Sequence, residues 1–124
     1  TNNLDLVKIA GPSAKGYRFI SPPMPADIDN PAAKELLKAY TSKYNSQPSS
    51  IWVVLAGDAY SVLVEGIKQK GPDSKAVAEF LHNDLKDFDG LTGKISFDEK
   101  GDRVGDLYRL YEVDEKGNFI LQPK

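Results

Sequence analysis

The middle of this chain constrains the fold more than any other part. Residues 51–67 read IWVVLAGDAYSVLVEGI, with Asp58 and Glu65 as their only charged side chains. The stretch is too short and too charged to span a membrane. A segment that is apolar on nearly all sides is normally packed between other layers of a protein, so this one predicts a central element of the fold.

Two structures fit this central stretch. One is a buried strand over residues 51–57, followed by a helix with Asp58 as its cap, which would place the carboxylate as in a flavodoxin-like enzyme or regulator. The other is one long helix over residues 51–70 that Ser49 or Ser50 caps. The length and the apolar character on all sides favour the helix.

The residues before the central stretch carry three local signals. Residues 2–11 predict a short helix, because Gly11 and Pro12 follow it as a stop. The sequence GYRFIS, at 16–21, alternates as a strand does. The prolines in residues 22–25 then predict a stiff loop without regular structure.

Two further helices flank the central one. Asn30 followed by Pro31 predicts a helix start, because Asn offers a capping oxygen and Pro lacks an N–H that would go unpaired there. Apolar residues at helical spacing extend this helix to about Tyr44. Residues 73–85 predict another amphipathic helix, with Asp73 or Ser74 as its cap.

The C-terminal third reads as strands. GKISF at 93–97, LYRLYEV at 107–113 and NFILQ at 118–122 are rich in β-branched and aromatic residues. A chain of 124 residues suits one domain with a real core. We therefore expect a single α/β domain over residues 1–124, with helices packed on a small mixed sheet.

The sequence DEKG occurs twice in this region, at 98–101 and at 114–117. Acidic residues beside glycine suggest a calcium loop, but an EF-hand loop needs an oxygen ligand where Lys100 and Lys116 stand, and its glycine comes later. Asp can instead bond its own backbone, and Gly can take a positive φ. Both copies therefore predict turns between strands.

Composition excludes several functional classes. The chain has 16 basic and 18 acidic residues and no basic run, so we expect no nucleic-acid partner. It has no cysteine and one histidine, which argues against a transition-metal site, and we expect no cofactor. His82 lies off the apolar face of its helix and is expected to be exposed. No catalytic residue is predicted.

Asp58 and Trp52 are the two remaining candidates. Asp58 is a carboxylate within the most apolar stretch, and a buried charge needs a partner. A structural hydrogen bond to the backbone of a neighbouring segment is favoured over catalysis. Trp52 stands beside the helix N-terminus, where it is either core or the wall of a small-molecule site in which exposed N–H groups attract a carboxylate.

Several motifs together resemble a known family. They are A-K-G before an aromatic strand, S-P after it, N-P-A opening a helix that ends near K-Y, A-G-D-A in the central helix, and FDGLTGKISFDEKGD at 88–102. The last is the most specific. The set resembles the C-terminal portion of type I periplasmic solute-binding proteins, nearest to the leucine/isoleucine/valine-binding family of ABC importers.

This resemblance implies a two-lobe architecture and a non-catalytic function. The chain would be a fragment of a longer protein, with crossover strands near 17–21 and 90–94 and with its missing N-terminal part completing an interlobe cleft. That protein would bind an amino acid or similar solute, pass it to an ABC permease, and lie in the periplasm or outside the cell. A ligand-sensing receptor ectodomain of the same fold is the alternative.

The resemblance also bears on single residues. Trp52 falls where the family places an aromatic residue against the side chain of the ligand, although Tyr or Phe is commoner there. Asp58 and the caps Asn30 and Ser50 are expected to be structural. Lys15 stands where Glu is usual, which leaves the identity of the solute open.

Overall fold

The computed structural model describes residues 5–123, which form four α-helices and five short strands. The helices are α1 (Asp5–Ala10), α2 (Pro31–Tyr44), α3 (Trp52–Lys70) and α4 (Ser74–Glu79). The strands are β1 (Arg18–Ser21), β2 (Phe88–Gly90), β3 (Gly93–Ile95), β4 (Arg109–Val113) and β5 (Phe119–Leu121). Short 3-10 turns cover Gly11–Ala14 and Pro25–Asp27, and α4 continues into a π-helical turn, Phe80–Asp84.

The strands form two small sheets. One has the order β1-β4-β5, and the other is the β2–β3 hairpin. Each of these pairs is antiparallel, with Phe19 opposite Tyr111 in the first sheet and Phe88 opposite Ile95 in the second. The predicted α/β class, with helices on a small sheet, is confirmed, and the strands prove to be divided between two sheets.

α2 starts as the Asn30-Pro31 pair predicts. The Asn30 backbone is extended, and its Oδ1 accepts hydrogen bonds from the nitrogens of Ala32 at 2.9 Å and Ala33 at 3.2 Å. At the other end, Asn45 takes a left-handed conformation with φ of 53° and donates its N–H to Thr41 O. Backbone groups at both ends of α2 therefore find hydrogen-bond partners in residues close by in the sequence.

α3 is one uninterrupted helix through Gly57, so the strand alternative for residues 51–57 is wrong. The expected cap at Ser50 is also wrong. Ile51 occupies the N-cap position in a helical conformation, and no side chain caps the helix. A serine cap requires extended backbone at the residue just before the helix. Ile51 is only 1% exposed, and its burial fixes this end instead.

Among residues 5–123, three apolar clusters of buried residues hold the elements together. Ala14, Phe19, Tyr111 and Val113 form the first, between α1 and the three-stranded sheet. The second joins α2 to the start of α3 and consists of Ile28, Ala33, Ile51 and Val54. The third packs the hairpin and the end of α4 on α3 and consists of Val62, Leu85 and Ile95. α3 therefore contributes to two of the three clusters.

The two segments expected to cross between lobes have definite local structures. Residues 18–21 form β1, in the sheet with β4. Residues 90–94 form the turn of the β2–β3 hairpin, which packs on α3. The described segment that leads on to β4 is residues 104–108, without helix or strand. The crossings themselves stay predictions.

Both DEKG copies form turns of the predicted kind. Asp98 Oδ1 accepts hydrogen bonds from the nitrogens of Lys100 and Asp102, and Asp114 Oδ1 accepts from Lys116 and Asn118. Each carboxylate is therefore used by its own backbone, as in an Asx-turn. The hydrogen bonds from Asn118 hold the pKa of Asp114 below its ordinary value.

Within residues 5–123, no helix combines the length and the apolar character that crossing a bilayer requires. The same residues contain no cluster of three or more His, Asp or Glu side chains placed to hold a metal ion.

Candidate functional site

The start of α3 exposes a large aromatic side chain next to a fully buried one. Trp52 is 69% exposed, whereas Ile51 is 1% exposed and packs against Val54, Ile28 and Ala33. No side chain caps this helix end, so the first N–H groups of α3 have no side-chain acceptor. An aromatic wall beside helix N–H groups suits a ligand with a carboxylate and an apolar part.

Asp58 lies six residues further along α3 and is 4% exposed. Its Oδ1 accepts a hydrogen bond from the Leu91 nitrogen at 2.5 Å, and its Oδ2 accepts from the Thr92 nitrogen at 3.2 Å and from the Thr92 hydroxyl. Leu91 and Thr92 are the two residues at the turn of the β2–β3 hairpin. The carboxylate therefore fixes the hairpin to the helix, which is a structural role.

Arg103 completes this network from the segment after the hairpin. Its Nη1 donates to the Thr92 hydroxyl at 2.6 Å and lies 3.7 Å from Asp58 Oδ2, and its Nη2 donates to Lys94 O at 3.0 Å. The guanidinium thus compensates the buried carboxylate and ties the outgoing chain to the hairpin. A cleft of about 410 Å³ lies beside it, lined partly by Arg103 and Arg109.

The cap of α2 also contacts the hairpin. Besides its Oδ1 bonds to the helix, Asn30 donates through Nδ2 to Gly90 O at 3.1 Å. Gly90 has no room for a side chain, since a Cβ there would lie 2.5 Å from Ile95 Cδ1 and 2.7 Å from Asp58 Oδ1. Asn30 and Asp58 therefore link the hairpin to the start of α2 and to the middle of α3.

Tyr111 makes the comparable link on the other sheet. It is fully buried, its hydroxyl donates to Asp27 Oδ2 at 2.8 Å, and it accepts a hydrogen bond from the Met24 nitrogen at 2.7 Å. Burial raises the pKa of Tyr111 to about 12. This residue holds the proline-rich loop on the three-stranded sheet.

His82 lies far along the chain from Trp52 and is exposed, as expected. Its Nδ1 lies 3.0 Å from Asn83 Oδ1 and its Nε2 lies 2.8 Å from Glu99 O. Two acceptors favour the doubly protonated ring, and they raise the pKa of His82 above its ordinary value.

Sequence reasoning missed three residues of these networks: Thr92, Arg103 and Tyr111. Thr92 lies within the motif at 88–102, but nothing in the motif indicates that the Thr92 hydroxyl donates a hydrogen bond to Asp58. Arg103 follows the first DEKG copy by two positions, and nothing in the local sequence indicates that its side chain is buried. Tyr111 was recognised only as a strand residue, because its partner Asp27 is 84 positions away.

A family comparison identifies what kind of protein this arrangement belongs to. The family model described as "Periplasmic binding protein" matches residues 2–118, which is nearly the whole chain. The chain belongs to the periplasmic binding protein family. This result confirms the resemblance found in the sequence, and the α/β fold described above is that of the type I members of the family.

Individual relatives agree with this assignment. The chain is 35% identical over 111 residues to the leucine-, isoleucine-, valine-, threonine- and alanine-binding protein of Pseudomonas aeruginosa. Among solved structures, it is similar to the leucine-binding protein LivK from Thermotoga maritima, with 29% identity and a TM-score of 0.80 over 97% of this chain. An ABC transporter substrate-binding protein from Desulfitobacterium hafniense matches at 26% identity with a TM-score of 0.75 over 91% of this chain.

The chain spans only part of the length of these relatives. It covers 28% of the Pseudomonas protein and 33% of each of the two solved structures, while 89% of the chain itself aligns with the Pseudomonas protein. By their names, these relatives are amino-acid-binding proteins or a substrate-binding protein of an ABC transporter. The family that matches the chain is named for the periplasm.

Proposed function

We propose that these residues are part of a longer periplasmic solute-binding protein that binds an amino acid or a similar small solute without catalysis. The observation that carries the proposal is the exposed Trp52 at the uncapped start of α3 in a chain of this family. The indole would contribute apolar and stacking contact to a solute in a cleft between two lobes. The solute would then pass to an ABC permease in the membrane.

The class of solute is supported by the relatives. The Pseudomonas relative is a leucine-, isoleucine-, valine-, threonine- and alanine-binding protein, and this chain is 35% identical to it. The indole of Trp52 is larger than the side chain of the Tyr or Phe that is commoner at this position in the family. This size favours an amino acid or similar solute that is smaller, planar or aromatic. A periplasmic or extracellular location follows from the same assignment.

The proposal requires that much of the cleft comes from polypeptide outside these 124 residues. The chain covers about a third of the relatives' length, and Trp52 is open to solvent rather than facing a closed pocket. We therefore expect the 124-residue chain alone to bind branched-chain amino acids negligibly. If calorimetry shows that the 124-residue chain binds a branched-chain amino acid with micromolar affinity, these residues form the binding site without the outside polypeptide, and the proposal is contradicted.

The test is calorimetric titration of the protein encoded by the whole gene with leucine, isoleucine, valine, threonine, alanine and phenylalanine. We expect at least one to bind, and we expect Trp52→Ala to weaken it by about tenfold or more, or ~1.4 kcal/mol. Tyr44→Ala is the matched control, because Tyr44 is also exposed but lies at the far end of α2. Equal affinities of the Trp52→Ala and Tyr44→Ala variants would remove Trp52 from the site.

A further inference from the structure

The cleft beside Arg103 lies between two stretches of backbone. One wall is the β2–β3 hairpin with its flanks, residues 87–96, and the other is the segment 103–109, which runs into β4. The cleft has a volume of about 410 Å³, and its lining, as far as the described residues form it, contains no residue of α3. It is therefore separate from the aromatic wall at Trp52, and the proposed function gives it no role.

Arg109 brings unused hydrogen-bond donors to this cleft. Its side chain is 30% exposed, and its Nη1 donates to Asp106 O at 3.1 Å and to Tyr108 O at 2.8 Å. Its Nε and Nη2 have no acceptor within residues 5–123. Two adjacent guanidinium nitrogens are the pair that binds a carboxylate or a phosphate through parallel hydrogen bonds. A partly buried guanidinium with this edge unused therefore suits an oxyanion.

The charges around the cleft nearly balance. Its described lining carries Lys94, Arg103 and Arg109 against the carboxylates of Asp87 and Asp106. A broad positive field is therefore not what would attract a ligand to this place. An anion would instead be held by the directed donors of Arg109, so that its shape matters as well as its charge.

Both walls of the cleft offer further donors. Gly105 and Leu107 line it, and their backbone N–H groups have no acceptor in the part of the chain that the structure describes. Gly105 has a φ of 113°, and unpaired N–H groups in a turn of this kind form a concave site for an anion. On the hairpin side, the Ser96 hydroxyl accepts from the Asp87 nitrogen at 2.8 Å and can donate its own hydrogen.

We propose that this cleft binds a small oxyanion, a carboxylate or a phosphate, through two hydrogen bonds from Nε and Nη2 of Arg109. The N–H groups of Gly105 and Leu107 and the Ser96 hydroxyl are further donors to it. The site is independent of the solute site at Trp52. Because the anion binds the folded chain and not the unfolded one, it stabilises the protein.

Thermal unfolding of the protein from the whole gene tests this proposal. Inorganic phosphate, sulfate and acetate are compared with chloride at the same ionic strength, because salt alone also changes stability. We expect at least one of the three, at about 10 mM, to raise the unfolding temperature by about 2 °C or more beyond chloride. An effect of phosphate and sulfate without acetate assigns a tetrahedral anion, and an effect of acetate alone assigns a carboxylate.

Two substitutions at Arg109 locate the site. Arg109→Gln removes the guanidinium and should weaken oxyanion binding by about tenfold or more in calorimetric titration. Arg109→Lys keeps the charge without the two parallel donors, so it should also bind clearly less than the wild type, and it replaces Arg109→Gln if that variant unfolds. Arg18→Gln is the matched control, because Arg18 lies in the neighbouring strand β1 and pairs with Glu112.

Two results would overturn the proposal. One is stabilisation by all three oxyanions no greater than that by chloride, which is also the result expected if polypeptide outside these 124 residues fills the cleft. The other is equal binding of the oxyanion by the wild type and by the Arg109 variants.

The oxyanion site and the solute site can be told apart. Oxyanion binding that Trp52→Ala abolishes would belong to the solute site and would also overturn the proposal. Oxyanion binding that survives Trp52→Ala and is lost in Arg109→Gln supports it, even in a protein that binds none of the amino acids. In that case the oxyanion site stands and the proposed function fails.

Discussion

Asp58 Oδ1 lies 2.5 Å from the backbone nitrogen of Leu91, although the two residues are 33 positions apart in the chain. This bond, with the two that Thr92 donates, joins the middle of α3 to the turn of the β2–β3 hairpin. The carboxylate is compensated by backbone donors and by Arg103 rather than by water. The single acidic residue on the buried side of α3 is therefore a link between two elements.

Replacing Asp58 with alanine should destabilise the 124-residue chain strongly. The substitution leaves the N–H groups of Leu91 and Thr92 and the guanidinium of Arg103 without their acceptor. Removing one partner of a buried charged network typically costs 3–5 kcal/mol. We expect a loss of roughly this size in the free energy of urea unfolding.

Asp89→Ala is the matched control for Asp58→Ala. Asp89 lies in the same hairpin and pairs with Lys94, but its side chain is 87% exposed, and such surface pairs contribute at most about 1 kcal/mol. If the two variants unfold at the same urea concentration, Asp58 is not the link described above.

Much of the helical part of the fold could be predicted from sequence, because its signals are local. Asn30-Pro31 marks the start of α2, and the apolar character of residues 51–67 on all sides indicates a helix rather than a strand. β2 was missed. Its three residues, Phe88–Gly90, have little strand character of their own and become a strand only by pairing with β3.

The networks around α3 could not be predicted from sequence to the same degree. Asp58 was expected to bond a neighbouring backbone, yet nothing local identifies Leu91 or Thr92 as the donors. The cap expected at Ser50 was wrong because Ile51 is buried and helical, a result of packing against α2 that no capping pattern contains. Partners that meet only in the folded chain leave no local pattern in the sequence.

The neighbours Ile51 and Trp52 provide a test of burial at two adjacent positions of the chain. Ile51→Ala removes a fully buried side chain and should cost about 2–5 kcal/mol. Trp52→Ala removes a mostly exposed one and should change the stability of the 124-residue chain by about 0.5 kcal/mol or less. Thermal unfolding of the two variants measures the difference. A large loss from Trp52→Ala would mean that the indole belongs to the core, contrary to its exposure.

Tyr111→Phe should lower the free energy of unfolding by about 1–3 kcal/mol at pH 7. The ring still fills its place, but the partly buried N–H of Met24 loses its acceptor and Asp27 loses a donor. Denaturant unfolding of the variant and the wild type measures this loss. A variant as stable as the wild type would show that neither bond contributes.

The same tyrosine should also make stability depend on pH in the alkaline range. Burial raises the pKa of Tyr111 from 10.0 to about 12, so the folded chain holds this proton more tightly than the unfolded chain. The resulting stabilisation is complete below pH 10 and is lost as pH rises from 10 towards 12. We expect the stability difference between the wild type and Tyr111→Phe to shrink over this interval. A difference that stays constant would contradict the raised pKa.

His82 should contribute stability at acid rather than alkaline pH. The hydrogen bonds to Asn83 Oδ1 and to Glu99 O raise the pKa of His82 above 6.5, so the folded chain favours the charged ring. This contribution is present below pH 6.5 and is lost as pH rises through the folded pKa. Because the chain has one histidine, NMR titration of its ring measures the pKa directly. Asn83→Ala should lower that pKa, and a wild-type value at or below 6.5 would refute the assignment.

The two DEKG turns allow a comparison of one substitution in two surroundings. Gly101 and Gly117 have nearly the same positive φ, 83° and 81°, so alanine should cost about 1–2 kcal/mol at either place from backbone strain alone. At Gly101 an added Cβ meets nothing within 4 Å, whereas at Gly117 it would lie 2.5 Å from Val7 Cγ1 in α1. Gly117→Ala must therefore also move the Val7 side chain or α1 itself. We expect it to lower the thermal unfolding temperature clearly more than Gly101→Ala does, and equal losses would show that α1 does not pack on this turn in solution.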